Sequence, residues 1–264
     1  MKSVRESAEK SGGNELLRRE EICERHGSYV SQGTSYLGRV IYSICPDCMA
    51  ERQRIIDEQM RLKEIDRRNE RLQDAGVPLR FRTESFETFE PESPEQRKAL
   101  EMCRKFCETC RTNRRNGAAL FLIGSVGTGK SHLGLSVLIE LLAEARFRGR
   151  YCSVMRMIRE IRDSYRPGST MGEQELIDHF TAYDLLVVDE VGVQLGTESE
   201  KLLLFEIING RYENYRPTVL ISNLNLRELT PYFGERSMDR LIQENGAIVP
   251  CVWESYRKSQ REAS

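Results

Sequence analysis

The chain has 264 residues, with 40 Lys and Arg against 41 Asp and Glu, a net charge of −1. That length suits one ordinary domain plus a small one, and the charge balance speaks against constitutive nucleic-acid binding while leaving local basic patches open. No apolar run approaches the ~20 residues of a membrane span and the polar start offers no signal-peptide core, so a cytoplasmic chain with no membrane partner is expected, its eight cysteines thiols or metal ligands before disulfides.

Residues 1–19 are polar with scattered apolar positions and read as a frayed helix or a disordered tail. Next come Cys23-x-x-His26 and Cys45-x-x-Cys48, two ligand pairs eighteen residues apart. Two residues between ligands let both reach one tetrahedral ion, and this soft or borderline donor set favours Zn²⁺. A segment this poor in apolar residues needs such a staple. From Glu51 to Asp74 the chain is dense in Arg and Glu and lacks Gly and Pro, with Ile55, Leu62, Ile65 and Leu72 forming a narrow seam on one helix face. It reads either as a solvated linker or as an arm that docks on a partner helix. Gly76 and Pro78 end it. The expected domains are 1–50, zinc-binding; 51–77, a helical arm; and 78–264, the main α/β domain.

From Leu79 onward strands alternate with helices, as in a doubly wound α/β fold. Strands are predicted near 118–123, 150–155, 184–189, 218–222 and 248–253, and helices near 94–114, 130–145, 156–165, 173–181, 197–213 and 235–244. Cys103, Cys107 and Cys110 have the spacing of an iron–sulfur motif. On a helical pattern with Leu100 and Phe106 they read instead as a buried face. Gly124, Ser125, Val126, Gly127, Thr128, Gly129, Lys130 and Ser131 form a complete phosphate-binding loop between an apolar strand and an apolar helix. Its backbone N–H groups and Lys130 suit the phosphates of ATP, and the Ser131 hydroxyl suits Mg²⁺. The run DLLVVDE ends in Asp189, a second candidate for Mg²⁺, and Glu190, a candidate to polarise the attacking water. Asn223 follows the next strand, where it could orient that water. Arg236 and Arg240 lie four apart on one helix face, suited to reach a neighbouring subunit's γ-phosphate. Arg156, Arg159, Arg162 and Tyr165 mix charge with an aromatic ring, a combination that tracks single strands, although a solvated helix face is the commoner meaning.

The set GSVGTGKS, DLLVVDEVGVQ, TVLISN, GERSMDRL and WESYR resembles the DnaC-type replicative helicase loaders, AAA+ ATPases with the IstB-type transposition helpers as close relatives. The resemblance covers about residues 80–258. It implies an AAA+ core with a five-stranded parallel sheet and no full helical lid, since only about eleven residues follow Trp253. Under it Lys130 and Ser131 match the Walker A residues, Asp189 and Glu190 the Walker B pair, Asn223 sensor 1, Arg240 the arginine finger and Arg257 the sensor 2 arginine.

The resemblance also implies partners: single-stranded DNA, a hexameric DnaB-type helicase gripped by the N-terminal domain, and further copies of the chain joined through the ATP site. The expected function is ATP-dependent helicase loading with ATP hydrolysis. A transposition helper acting on duplex DNA is the near alternative, and a small-molecule kinase the distant one.

Overall fold

The computed structural model describes residues 6–11, 14–37, 39–144, 146–193, 197–243 and 246–255. The chain divides into two compact units, residues 1–67 and 68–264.

The first unit contains an antiparallel meander of four strands, β1 (Glu6–Ser11), β2 (Asn14–Cys23), β3 (Gly27–Tyr36) and β4 (Arg39–Tyr42). This corrects the expectation of a tail or frayed helix over residues 1–19. Strand β2 is dense in Arg and Glu and β3 in Ser and Gly, so no apolar alternation marks them. What fixes them is pairing, with Cys23 opposite Gly27 across a turn in which Gly27 takes φ +82°. Among the described residues little of this unit is buried. Ser31 is fully covered and its hydroxyl donates to Ser43 O at 2.6 Å. Helix α1 (Pro46–Asp74) begins between Cys45 and Cys48, earlier than the arm expected from residue 51. The division between the units falls within it, after Arg67.

In the second unit the last turn of α1 buries Leu72, and the chain then turns at Gly76. Helix α2 (Pro94–Thr112) starts at a Ser93–Gln96 capping box with Pro94 in its first turn. Its buried face is Ala99, Cys103, Phe106, Cys107 and Cys110, so the three cysteines are core residues. Burial pushes the Cys107 and Cys110 thiols up to about 12, which suits inert packing. Then follow β5 (Ala119–Gly124), α3 (Lys130–Leu142), β6 (Gly149–Ser153), α4 (Val154–Asp163), α5 (Glu173–Ala182), β7 (Leu185–Asp189), α6 (Glu198–Glu213), β8 (Thr218–Ser222), α7 (Leu226–Phe233), α8 (Glu235–Gln243) and β9 (Gly246–Cys251). The helix α7 is absent from the sequence reading. Pro231 masks it, yet an Asn225–Glu228 capping box starts it.

The five strands are all parallel in the order β6-β7-β8-β5-β9. Successive residues of β5 face opposite cores, Leu120 and Leu122 toward the side of α2 and α3, Ala119 and Phe121 toward the side of α4, α6 and α7. This is the three-layer α/β arrangement expected from the alternating pattern. The sheet has two borders. On β6 the chain leaving α1 lies alongside, with Tyr151 N donating to Ala75 O at 2.7 Å and Arg150 Nη1 to Asp74 O at 3.1 Å. The opposite border, β9, carries Pro250 beside Ile123 of β5. No helix among the described residues is long and apolar enough to cross a membrane.

Candidate functional site

Parallel strands deliver their C-terminal ends to one edge of the sheet, and the loops there build a cleft in the second unit. At the end of β5, Gly124 approaches β9 so closely that a Cβ would fall 2.1 Å from Cys251 O. Gly129, at φ +86°, is the residue before α3, and a Cβ there would press on Phe89 at 2.9 Å. Side chains are disfavoured at both positions, and the loop backbone with the start of α3 lines the cleft. Lys130 is 6% exposed and its Nζ donates to Gly124 O at 2.9 Å and Ser125 O at 2.6 Å. Burial pulls its ammonium below the ordinary lysine range.

Strand β8 lies between β5 and β7, so Asn223 emerges between the phosphate-binding loop and Asp189. Asp189 is 7% exposed and fully engaged. Ser131 Oγ donates to its Oδ2 at 2.8 Å, Tyr151 OH to the same oxygen at 2.9 Å, and the Glu190 N–H to Oδ1 at 2.7 Å. Burial, then the Asp189 charge, hold the Tyr151 phenol well above its ordinary range, so it is a donor. Glu190 sits at φ +60°, a left-handed backbone uncommon outside glycine. Its side chain is exposed in the same cleft of about 570 Å³ that Lys130, Ser131, Asp189 and Asn223 line.

One wall of that cleft went unread in the sequence. The segment 80–90 supplies Arg80, Phe81, Glu84, Thr88 and Phe89. His132 pins it: Nδ1 lies 2.7 Å from Glu84 and Nε2 2.9 Å from Ser85 O, with Phe89 edge-on at 5.4 Å. Trp253, the sole tryptophan, donates from Nε1 to Thr128 O at 3.0 Å and so lies against the phosphate-binding loop. Tyr151 gave no signal beyond residue type, because contacts across strands are invisible to local pattern, and Trp253 stood out only as the start of the WESYR run.

Arg236 and Arg240 do not line the cleft. Both are exposed and neither forms an ion pair among the described residues. The Arg240 guanidinium stands 6.0 Å from the Tyr212 ring. Arg257 lies outside the described residues.

In the first unit Cys23, His26, Cys45 and Cys48 converge, their ligand atoms all within 4.8 Å of one another. His26 Nδ1 is 3.6 Å from Cys23 Sγ, 3.6 Å from Cys45 Sγ and 3.4 Å from Cys48 Sγ. The turn after β2 supplies the first pair, and the start of α1 the second. Backbone N–H groups of Arg25 and His26 lower the Cys23 thiol to about 6, favouring the thiolate that a metal needs. His26 Nε2 meets Glu51 Oε1 at 3.1 Å, the outer carboxylate contact that orients a ligand imidazole. Three sulfurs and one nitrogen on a common centre fit Zn²⁺.

Residues 49–264 match the family of IstB-like ATP binding proteins, so the cysteine and histidine group lies outside the matched span. The chain is 35% identical over 176 residues to the replicative helicase loader DnaC of Escherichia coli, spanning 66% of this chain and 69% of that protein. Among solved structures it is similar to the DnaC helicase loader, with a TM-score of 0.58 and 23% identity over 66% of this chain and 99% of that one. It is also similar to the replication initiator DnaA bound to AMPPCP and single-stranded DNA, with a TM-score of 0.55 and 23% identity over 71% of this chain and 55% of that one. The two structures speak for the fold and the two sequence matches for descent: the chain belongs to the family of IstB-like ATP binding proteins.

Proposed function

We propose that the chain is an ATP-hydrolysing loader that places a ring-shaped replicative helicase of the DnaB type on single-stranded DNA. The observation that carries this reading is the meeting of Lys130, Ser131, Asp189, Glu190 and Asn223 in one cleft of a chain similar to DnaC.

Lys130 and the loop N–H groups hold the phosphates of ATP. Ser131 and Asp189 offer the hard oxygen donors that suit Mg²⁺, which when bound neutralises phosphate charge. Glu190 and Asn223 orient the attacking water. Arg240, exposed and outside its own cleft, serves the ATP of a neighbouring copy, so ATP joins copies and hydrolysis loosens them. Arg236 is the alternative finger on the same helix. The Cys23, His26, Cys45 and Cys48 centre holds a structural Zn²⁺ that stiffens the helicase-docking unit.

The test is capture of the replicative helicase from purified components by the full chain, with ATP, with ADP and without nucleotide, in the presence of single-stranded DNA. Capture that depends on nucleotide, and that Lys130→Ala abolishes, is expected. The match to IstB-like ATP binding proteins is also compatible with a second reading, a transposition helper. ATP-dependent binding of duplex DNA and a transposase, with no helicase capture, would decide for it.

A further inference from the structure

We propose that Tyr151 is a positioning residue for Asp189, its phenol fixing the carboxylate in the orientation from which Asp189 and Ser131 serve a divalent cation. The inference rests on the ATPase reading above and assigns a residue that none of the sequence motifs contains.

A nearly buried carboxylate must have its lone pairs met, and a carboxylate that is to serve a metal must also be held in one rotamer. Three donors do this for Asp189. Two come from the motifs themselves, the Ser131 hydroxyl and the Glu190 N–H. The third is Tyr151 OH, 2.9 Å from Oδ2, and it comes from a different strand. Strand β6 pairs with β7 so that Tyr151 stands opposite Val187, two residues before Asp189. From there the long phenol reaches forward along the sheet to the carboxylate.

The backbone of Tyr151 is itself fixed. Its N–H donates to Ala75 O at 2.7 Å, and Arg150 beside it grips Asp74 O and Glu160. The ring packs against the core shared by α2 and α3. A rigid base and a single reaching hydroxyl are what an outer-sphere positioning group requires. Packing alone would be satisfied by phenylalanine, so the hydroxyl is the informative atom.

The experiment uses the full chain and Tyr151→Phe, which keeps the ring and removes only the donor. Nucleotide affinity is read by Trp253 fluorescence, first with EDTA and then against Mg²⁺. Metal affinity is read separately by electron paramagnetic resonance, with Mn²⁺ as the probe and a non-hydrolysable ATP analogue present. The variant should keep the metal-free nucleotide affinity and the melting temperature of the wild type. Its half-saturating Mn²⁺ and Mg²⁺ should rise by about 10–100-fold, the usual cost of losing an outer-sphere partner. Unchanged metal half-saturation overturns the proposal. So does a parallel loss of metal-free nucleotide affinity and melting temperature, which would make Tyr151 a packing residue. A wild-type chain whose nucleotide binding ignores divalent cations defeats the ATPase reading itself, a result visible before the variant is made.

Discussion

Replacing Arg211 by Met should destabilise the second unit severely. The Arg211 side chain is wholly buried and forms no ion pair among the described residues. Its guanidinium donates to Thr218 Oγ1 at 2.9 Å and to the carbonyls of Phe180 at 2.9 Å, Thr181 at 3.1 Å, Tyr183 at 2.9 Å and Pro217 at 2.6 Å. Burial lowers its pKa, yet five acceptors keep it protonated. Methionine matches the length and removes the desolvation cost of the charge. It cannot remove the four carbonyls, which are backbone and stay where they are, although Pro217 O keeps Leu186 N as a donor at 3.5 Å. An acceptor left unmet in the interior costs about 1–3 kcal/mol, and the relief of discharging the site offsets part of the sum. A net loss of about 3–5 kcal/mol is therefore expected. At about 2–4 °C per kcal/mol for a unit of this size, the melting temperature should fall by about 6–20 °C. Arg211→Lys keeps the charge but loses the planar fork, so it should fall between. Calorimetry of the full chain, following the transition that nucleotide shifts upward, measures this. A Met variant melting within about 2 °C of wild type would refute the reasoning, since it would mean the four carbonyls find other partners at no cost.

Three further outcomes follow from the site. Lys130→Ala should abolish the Trp253 fluorescence response to ATP, whereas Glu190→Gln should keep that response and lose turnover, because an amide cannot polarise water; equal loss of response in both would unseat Glu190 from its role. Arg240→Ala should cut turnover by about 10³–10⁵, and mixing it with Lys130→Ala should restore part of it. A rate indifferent to concentration, mixing and single-stranded DNA would mean that no copy completes another's site. Elemental analysis of the purified chain should find about one Zn²⁺, and Cys45→Ala should lose it. Structural zinc supplies about 10–16 kcal/mol in small peptides, so that variant should also lose amide protection across β2 and β3 while keeping its nucleotide response.

The nucleotide cleft was legible because its chemistry is local. A loop that presents N–H groups to an anion needs its glycines, lysine and serine in sequence, and a carboxylate at a strand end needs only the strand before it. The five buried parallel strands were equally plain, since burial on both faces writes a continuous apolar run, as in LLVVD of β7. The meander β1–β4 was hidden because β2 is dense in Arg and Glu and β3 buries almost none of its side chains. Ser31 and Gly33 are its covered positions on β3, and neither looks like core in a sequence. Convergence of the Cys and His pairs was foreseeable from spacing, whereas Glu51 behind His26 was not. His132 and Tyr151 act through residues far along the chain, forty-seven positions for His132 and Ser85 and thirty-eight for Tyr151 and Asp189, and no local pattern encodes such a reach.

The borders of the parallel sheet have a consequence for how copies of this chain can meet. An unpaired strand edge is a template on which any other strand can grow, natively or as an aggregate. Along β6 that template is interrupted, because Tyr151 N is already given to Ala75 and the Arg150 guanidinium lies across Asp74 O. Along β9 it is broken by Pro250, which has no N–H to give. Neither flank invites a strand from another molecule. On the loader reading proposed above, contact between copies falls to side chains such as Arg240 and to the ATP between them, a kind of joint that can be undone by changing one phosphate.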